Sequence, residues 1–538
     1  MKPHLYQLVL SFCFVFQFHA SATVHYVNVN NPSPASPYTS WAIAATNIQD
    51  AVDAATTGDT VLVTNGVYET GGRMWFDSGT NRVTLTNAVI LRSVNGPAVT
   101  LIVGGQVAGT GSALVNAARC VGIGNNAVLS GFTLTNGEGG FGNYPAGGGV
   151  AYIYGSGGGT VTNCILIGNL ATNSAGGGAD RVTLINCQIV GNSAGYGGGA
   201  CACTLIDCTV VSNTASSEGG GVFGGSPFGA SVLTNCTIVG NSAMSSGGGA
   251  YGGTLSACSI SNNAAGSGGG TYASTLNNCL VSGNSAGSGG GVCGGIITNC
   301  TVVSNLATNS GGGIYGGTGA YGYNSIVYYN LAPSGSNNIG TKFINCCTIP
   351  NLYGGGFTNE PLFVNLAGGD YHLQSNSPCI NSGNKSYVTT STDLDGNPRI
   401  VGGTVDIGAY EYQTPVSKIS YAWLDQYGLP ITTNIDTADL DGTGFNVYQD
   451  WVAGLNPTNA LSVLAMLDPA PTNNLVGLAV SWESVSGITY FLQSSTNLGA
   501  KPAFSTIQSN IIGQTGTTTY TDTTATNNGP YFYRVGVQ

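Results

Sequence analysis

Between residues 160 and 310 the apolar residues do not recur at helical spacing. They come in short β-branched runs, such as Thr204-Leu205-Ile206 and Cys208-Thr209-Val210-Val211, separated by stretches rich in Gly, Asn and Ser. Runs of this length and composition predict short strands. The runs repeat. Cysteines fall at Cys164, Cys187, Cys208, Cys236, Cys258, Cys279 and Cys300, with spacings of 23, 21, 28, 22, 21 and 21 residues. Five positions after each comes an asparagine, Asn169, Asn192, Asn213, Asn241, Asn263, Asn284 and Asn305. Two further on stands an alanine, from Ala171 to Ala307, and then a Gly triplet such as Gly176 to Gly178 or Gly268 to Gly270. A period near 21 without helical patterning predicts one turn of a β-solenoid per repeat, with equivalent strands stacked about 4.8 Å apart.

Stacking gives each column a role. Asn at a tight corner can bond the coils above and below and tolerates the left-handed region. Ala fits where the interior narrows. Gly supplies positive φ at a second corner, and Cys fills the core as a small hydrophobe. The columns could instead bind metal through Cys or sugar through Asn. Cys201-x-Cys203 and Cys346-Cys347 lack the two-residue gap usual in thiolate metal sites. In an exported protein some stacked Cys could also form disulfides. The longer coil before Cys236 contains Ser226-Pro227-Phe228, expected as a loop extruded from a corner.

Composition narrows the partners. Only 7% of the 538 residues are charged, and the net charge is −11. Twelve Lys and Arg over the whole chain cannot form a phosphate-tracking groove, which argues against nucleic acid and anionic membranes. The 86 glycines show no triplet period, which excludes collagen, and 42% hydrophobic residues argue against disorder. Lys2 and His4, an apolar run from Leu8 to Phe18, and Ala20-Ser21-Ala22 read as a signal peptide over residues 1–22. Phe12 before Cys13 is too bulky for a lipidation signal, and no later segment reads as transmembrane. The mature chain is expected outside the cell or on a bacterial surface, as a monomer.

The pairing of Gly-rich corners with aliphatic-x-x-Asn, as in Ile189-Val190-Gly191-Asn192 and Val210-Val211-Ser212-Asn213, resembles the repeats of chlamydial polymorphic outer-membrane proteins, with an aliphatic residue where those carry Phe. That resemblance implies a right-handed parallel β-helix, often adhesive. Residues 47–68 put Ile48, Ala51, Val52 and Ala55 on one helical face before Gly58-Asp59-Thr60-Val61-Leu62-Val63. This stretch resembles the N-terminal cap of pectin-lyase-like β-helix proteins, whose helix would cover the first coil. Residues 23–342 are thus assigned to the β-helix. Residues 343–412 resemble the choice-of-anchor Q region of bacterial surface proteins, through Glu360-Pro361-Leu362-Phe363-Val364, Gly369-Asp370-Tyr371-His372-Leu373, Ser377-Pro378-Cys379-Ile380-Asn381 and Val405-Asp406-Ile407-Gly408-Ala409-Tyr410-Glu411. Asp393, Asp395, Asp406 and Glu411 there could hold a cation, or could close a polar coil with Arg399 paired to a carboxylate.

Within residues 413–462, Asp439-x-Asp441-x-Thr443-Gly444-x-x-x-x-x-Asp450 resembles the calcium loop of an EF-hand or dockerin. Alternate oxygens from Asp439, Asp441 and Thr443, the Phe445 carbonyl and a closing Asp450 carboxylate supply the hard ligands that calcium takes, and Gly444 permits the turn. Trp423, Leu424, Tyr427 and Trp451, Val452, Leu455 would lie on short flanking helices; the bland alternative is a solvated acidic turn. Residues 463–538 alternate as strands around Trp482 and resemble a fibronectin type III sandwich. The fold class is therefore all-β: a right-handed parallel β-helix, a small calcium-loop segment and a C-terminal β-sandwich.

Pectin-lyase-like folds that cleave acidic polysaccharides need a base, together with clustered acids holding calcium or paired carboxylates. Residues 140–340 offer only Asp180, Arg181, Asp207 and Glu218, and no His. The early coils carry Glu69, Arg73, Asp77, Arg82, Arg92, Arg119 and Glu138, at no spacing that singles out a pair. Tyr144, Tyr152, Tyr154, Tyr196, Tyr251, Tyr272, Tyr315, Tyr321 and Tyr323 lie near Gly-rich corners, where they could stack on sugars or pack on the corners. The expectation is a secreted or surface scaffold, adhesin-like or carbohydrate-binding, whose partner is a polysaccharide or surface glycan and whose expected calcium is structural. The alternative is a polysaccharide lyase or glycoside hydrolase, and a third reading is a plain stalk.

Overall fold

The computed structural model describes residues 22–74, 80–105, 118–139, 147–153, 158–317, 319–350, 356–471, 477–526 and 529–538. The signal-peptide features before Ala22, together with Asp77, Tyr144 and Tyr154, lie outside the described residues. The chain divides between Asn213 and Thr214 into two compact units.

Both units are built of parallel stacked strands. In the first, Thr160–Thr162, Thr183–Ile185 and Thr204–Ile206 pair in register, and so do Ile165–Ile167, Gln188–Val190 and Thr209–Val211. In the second, the run from Val232–Thr234 through Thr254–Ser256, Thr275–Asn277, Ile296–Thr298 and Tyr321–Tyr323 to Lys342–Ile344 pairs the same way. Successive coils stacked strand on strand make a parallel β-helix. Because pairing is in register, the middle residue of each three-residue strand points inward and stacks on its equivalents: Val161, Leu184 and Leu205 in the first unit, Leu233, Leu255, Leu276 and Ile297 in the second, all buried. Where the column reaches Gly322, the Phe343 ring of the next coil fills the gap; a Cβ on Gly322 would lie 2.5 Å from Phe343 Cδ1.

The asparagines form an internal ladder. In the second unit the backbone N–H and the Nδ2 of Asn241 both donate to Asn263 Oδ1, each at 2.9 Å. Asn263 repeats this onto Asn284, and Asn284 onto Asn305, again at 2.9 Å. Each Nδ2 also donates to a strand carbonyl, as Asn263 does to Ile238 O at 3.0 Å. Asn169, Asn192 and Asn213 make the same ladder in the first unit. These side chains are buried. The expectation that this Asn itself takes the left-handed conformation is corrected: the residue before it does so, as at Gly240, Asn262, Gly283 and Ser304 (φ 66°, 55°, 66° and 56°). That turn frees the Asn to face the interior, where its amide meets backbone groups that water cannot reach.

The Gly triplet works in two ways. Its first member has positive φ, as at Gly268 (62°) and Gly289 (65°). Its second lies too close to the next coils for any side chain: a Cβ on Gly269 would collide with the carbonyl oxygens of Ser285 and Gly290. The Ala column stacks in register from Ala265 to Ala286 to Ala307. Among the described residues the 14 cysteines are thiols rather than disulfides, and all but Cys293 are buried. The column thiols donate to the carbonyl two residues back, as Cys164 does to Thr162 and Cys300 to Thr298 (3.2 and 3.1 Å). Burial pushes Cys164 and Cys346 up to about 12. The extruded segment before Cys236 turns back at Gly225, and Phe228 packs edge-on against Phe223.

At the start of the chain, helix α1 (Ile48–Ala54) buries Ile48, Ala51 and Val52, and Gln49 Oε1 accepts from Thr84 N at 2.7 Å. At the other end, residues 384–392 run as a strap along the outward asparagines of the last coils. Asn278 and Asn299 donate to the carbonyls of Thr392 and Tyr387, and Asn324 exchanges bonds with Asn384. Helices α2 (Tyr421–Gln426) and α3 (Val447–Ala453) share one core with the last coils, through Val303, Ile326, Tyr328, Ile380, Ile407, Tyr421, Leu424 and Val447. Finally, Ala470–Pro471, Leu478–Ser484 and Gly516–Asp522 form one antiparallel sheet, and Ser505–Ile512, Thr489–Ser495 and Phe532–Val537 a second. Their core of Val480, Trp482, Tyr490 and Leu492 makes a small β-sandwich.

Replacing Asn263 by Ala removes the acceptor for two Asn241 donors and the donor to Ile238 O. Unsatisfied buried groups make this cost about 3 kcal/mol, read as a lowered urea midpoint with unchanged slope. A change below about 1 kcal/mol would show that the ladder is dispensable.

Candidate functional site

The acidic loop lies between α2 and α3. Ser420 caps α2 by accepting from Trp423 N, and Asn446 with Gln449 forms a capping box on α3, which ends at Gly454 with φ 70°. The expected flanking helices are therefore present, with Tyr427 capping the first and Leu455 just beyond the second. Within the loop, Asp439 accepts from Gly442 N and Gly444 N (2.8 and 3.0 Å), and Asp441 Oδ1 accepts from Thr443 N and Oγ1 (3.1 and 2.8 Å). Thr443 Oγ1 accepts from Phe445 N at 3.4 Å. Gly444 turns with φ 85°, as its place in the motif requires.

Asp450 does not fit a solvated turn. It is 1% exposed, and neither carboxylate oxygen has a hydrogen-bond partner; Asp441 Oδ2 is also buried without one. Burial first, and then the charges of Asp441 and Asp439, push Asp450 up to about 6. A buried, unpaired carboxylate that feels the charge of two others is unfavourable until a cation or proton joins it. Among the described residues no three Asp, Glu, His or Cys side chains already converge as a metal-holding group. A bound ion would therefore have to draw Asp439, Asp441 and Asp450 together around Thr443 Oγ1 and the Phe445 carbonyl.

The acids of the closing coil have another role. Arg399 is buried; Nη2 donates to Gly408 O at 2.5 Å and Nη1 lies 3.4 Å from Glu411 Oε2. Asp406 accepts from Asn381 N and Tyr412 N (2.7 and 2.6 Å), Glu411 from Val401 N and Asp406 N (both 3.0 Å), and Asp393 from Asn397 N and Glu411 N (2.8 and 3.1 Å). These carboxylates hold backbone amides in a polar closing coil. Burial drives Asp406 up to about 7 and Glu411 up to about 9 against the pull of Arg399.

Asp395 turns outward, and there the structure assembles a group that sequence reading passed over. His372 Nε2 meets Asp395 and Nδ1 meets Asp370, both at 2.6 Å, with the Tyr410 ring 4.3 Å away. The only sequence signal was Asp370 two residues from His372, which gives alternate residues on one face of a strand. Desolvation works to lower His372, but the hydrogen bonds to Asp395 and Asp370 outweigh it and raise it. An imidazolium clamped between carboxylates is a brace and has no free nitrogen to act as a base.

The charges of the early coils are committed in the same way. Arg82 donates to the carbonyls of Val103, Gly71 and Gly104. Arg119 is buried, bonded to Gly147 O and Asn81 Oδ1 at 2.6 and 2.7 Å, and burial lowers it to about 10. Arg73 pairs with Asp53 at 2.5 Å, and Glu138 is buried. Glu69 and Arg92 remain exposed, Glu69 just past the strand Gly66–Tyr68 and Arg92 within the strand Ile90–Ser93 of another sheet. In the first unit Asp180 pairs with Arg181 at 3.7 Å and stacks in register on Cys201 rather than on another acid. In the second, Tyr251 and Tyr272 stack on each other at 5.1 Å, with Phe223 on Tyr251 at 4.9 Å. Those ring faces cover one another. Tyr321 and Tyr323 stack likewise, with Lys342 over Tyr321 and Tyr387 on Tyr323, and Tyr152 donates to Asn125.

No protein-family model matches the chain, and no curated protein matches it. Among solved structures it is similar to a pectate lyase (16% identity, 73% of this chain and 97% of that one, TM-score 0.40). It is similar to a rhamnogalacturonan lyase (10% identity, 76% and 100%, TM-score 0.37). It is also similar to the tailspike protein gp49 of Acinetobacter baumannii bacteriophage Fri1, a capsular polysaccharide depolymerase (10% identity, 97% and 86%, TM-score 0.28). Likeness this low assigns neither family nor chemistry.

Two outcomes follow from these geometries. Asp450 has a raised folded pKa, so its ionisation weakens the fold as pH rises from the unfolded value of about 3.8 through about 6. Asp450→Asn should therefore raise the calcium-free melting temperature at pH 7.5 by roughly 2 °C, and a fall would sink the reading of an unpaired buried charge. His372 is also raised, but as a base, so its stabilisation is full below about pH 6.5 and is lost as pH climbs through the elevated value. His372→Ala should lower the melting temperature at pH 5.5 and have little effect at pH 9.5.

Proposed function

We propose that this chain is an exported surface scaffold, adhesin-like, that binds carbohydrate without cleaving it and is braced by calcium near its C-terminal end. The observation that carries the non-catalytic half is the fate of the charged groups. The early-coil arginines Arg82 and Arg119 are held by backbone carbonyls and an amide, and the acids of the closing coil hold backbone N–H groups. General acid–base chemistry needs a group free to take and return a proton beside the substrate. A polysaccharide lyase or glycoside hydrolase is the competing reading; among the described early-coil charges it has exposed Glu69, just past the strand Gly66–Tyr68, and exposed Arg92, within the strand Ile90–Ser93.

Calcium is supported by Asp450, whose two partnerless oxygens close a loop of alternating oxygen donors. The residues that would hold it are Asp439, Asp441, Thr443, Phe445 through its carbonyl, and Asp450. The ion would neutralise the trapped carboxylates and fix α3 against the core. Export rests on the N-terminal signal-like segment; no described helix is long and apolar enough to cross a membrane.

Purified protein should be retained on one or more insoluble plant or algal polysaccharides, with no shortening of any soluble polymer, with or without calcium. Chain shortening would overturn the non-catalytic reading. Failure to be retained on every polymer would overturn the binding one.

A further inference from the structure

The C-terminal end of the solenoid carries a feature that neither the calcium loop nor the closing-coil knot uses. A cleft of about 840 Å³ opens between α2, α3 and the closing coil, within the roughly 300–1,000 Å³ of ligand pockets. We infer that this cleft binds a neutral oligosaccharide, an inference that rests on the carbohydrate-binding reading and gives it a site.

Four aromatic residues line it: Phe357, which packs against the core of the last coils, and three on the helices, Trp423 on α2 and Tyr448 and Trp451 on α3. They differ from the solenoid tyrosines. Tyr251 and Tyr272 lie within 12° of parallel and cover each other, whereas Tyr448 and Trp451 meet at 55° and Trp423 meets Tyr427 at 62°. Tilted rings spaced along two helices present apolar surface at several angles, as the C–H faces of successive sugars require. Both helices are anchored from below by buried Tyr421, Leu424 and Val447. The rings are therefore positioned before any ligand arrives, and little side-chain freedom is lost on binding.

The rest of the lining is largely polar. Lys385 and Thr404 come from the closing coil, and Asp425 and Gln426 from the end of α2. Among the described residues the side chains of Lys385 and Gln426 have no hydrogen bond or ion pair, and Asp425 has one oxygen engaged, by Asn359 Nδ2 at 2.7 Å. One cation and one anion across a cleft of amides and hydroxyls do not favour a polyanion. They suit hydroxyl groups, which both donate and accept. The sequence placed Trp423 and Trp451 on the helices flanking the acidic loop; only the folding of both helices onto the last coils brings them into one cleft with Lys385 and Thr404.

The test is titration of the full chain with cellohexaose, xylohexaose, mannohexaose and laminarihexaose, with hexagalacturonate as an acidic comparison, followed by calorimetry and tryptophan fluorescence. At least one neutral hexasaccharide should bind. Trp451→Ala and Tyr448→Ala should each weaken it tenfold or more, and Tyr272→Ala on the solenoid should change it less than twofold. Tyr448 is 38% exposed, so its variant keeps the test alive if Trp451→Ala fails to fold. Binding that neither variant affects, or binding of hexagalacturonate alone, would overturn the cleft while leaving the carbohydrate-binding reading standing. No binding of any hexasaccharide at millimolar concentration would also overturn the cleft, and retention on whole polysaccharides then judges the broader reading separately.

Discussion

The structure depends on in-register stacking. When each coil places its strands directly on those of the next, a residue type that suits one position suits it in every coil, and the sequence becomes periodic. The asparagine ladder is the sharpest expression of this. From Asn241 through Asn263 and Asn284 to Asn305, each side chain accepts two bonds from one neighbour and donates to the next, so the buried corner has its polar groups satisfied. Slip one coil by a residue and the amides would face solvent while Leu255 or Ile260 lost its column. The Gly triplet enforces the same register from outside, since Gly269 sits too close to Ser285 and Gly290 for any other residue.

A solenoid of this kind must also end. The first unit carries α1 with its buried apolar face. The second ends in a strap held by outward Asn278, Asn299 and Asn324, a knot of Arg399 with acidic residues, and two short helices in the core of the last coils. Charge is concentrated there because a terminating coil leaves backbone amides without a stacked partner, and carboxylates such as Asp406 and Glu411 supply acceptors. The acidic cluster is thus explained by chain termination. The acidic loop, with its partnerless Asp450, is not.

Much of this was legible in the sequence. The strands, the Ala and Cys columns and the positive φ at the first Gly of each triplet follow from periodicity, because stacking copies local chemistry from coil to coil. The left-handed residue was misplaced by one position, since spacing shows which residues recur and does not show which of two neighbours turns. The acidic loop and its flanking helices could be read from oxygen-bearing residues at alternate positions and apolar residues on either side. That Asp450 is buried without a partner could not, because burial is set by what packs over it.

What the sequence alone determined is therefore the repeat, the strand class and the scarcity of acid–base chemistry along the solenoid, all properties of composition and spacing. What only the tertiary structure decided is which groups meet across long separations. His372 lies between Asp370 and Asp395, Arg399 meets Asp406 O and Glu411, and Trp423, Trp451 and Lys385 line one cleft. These contacts fall outside the repeat, in the segments that fold back on the last coils, where no periodicity fixes a partner and only packing chooses one.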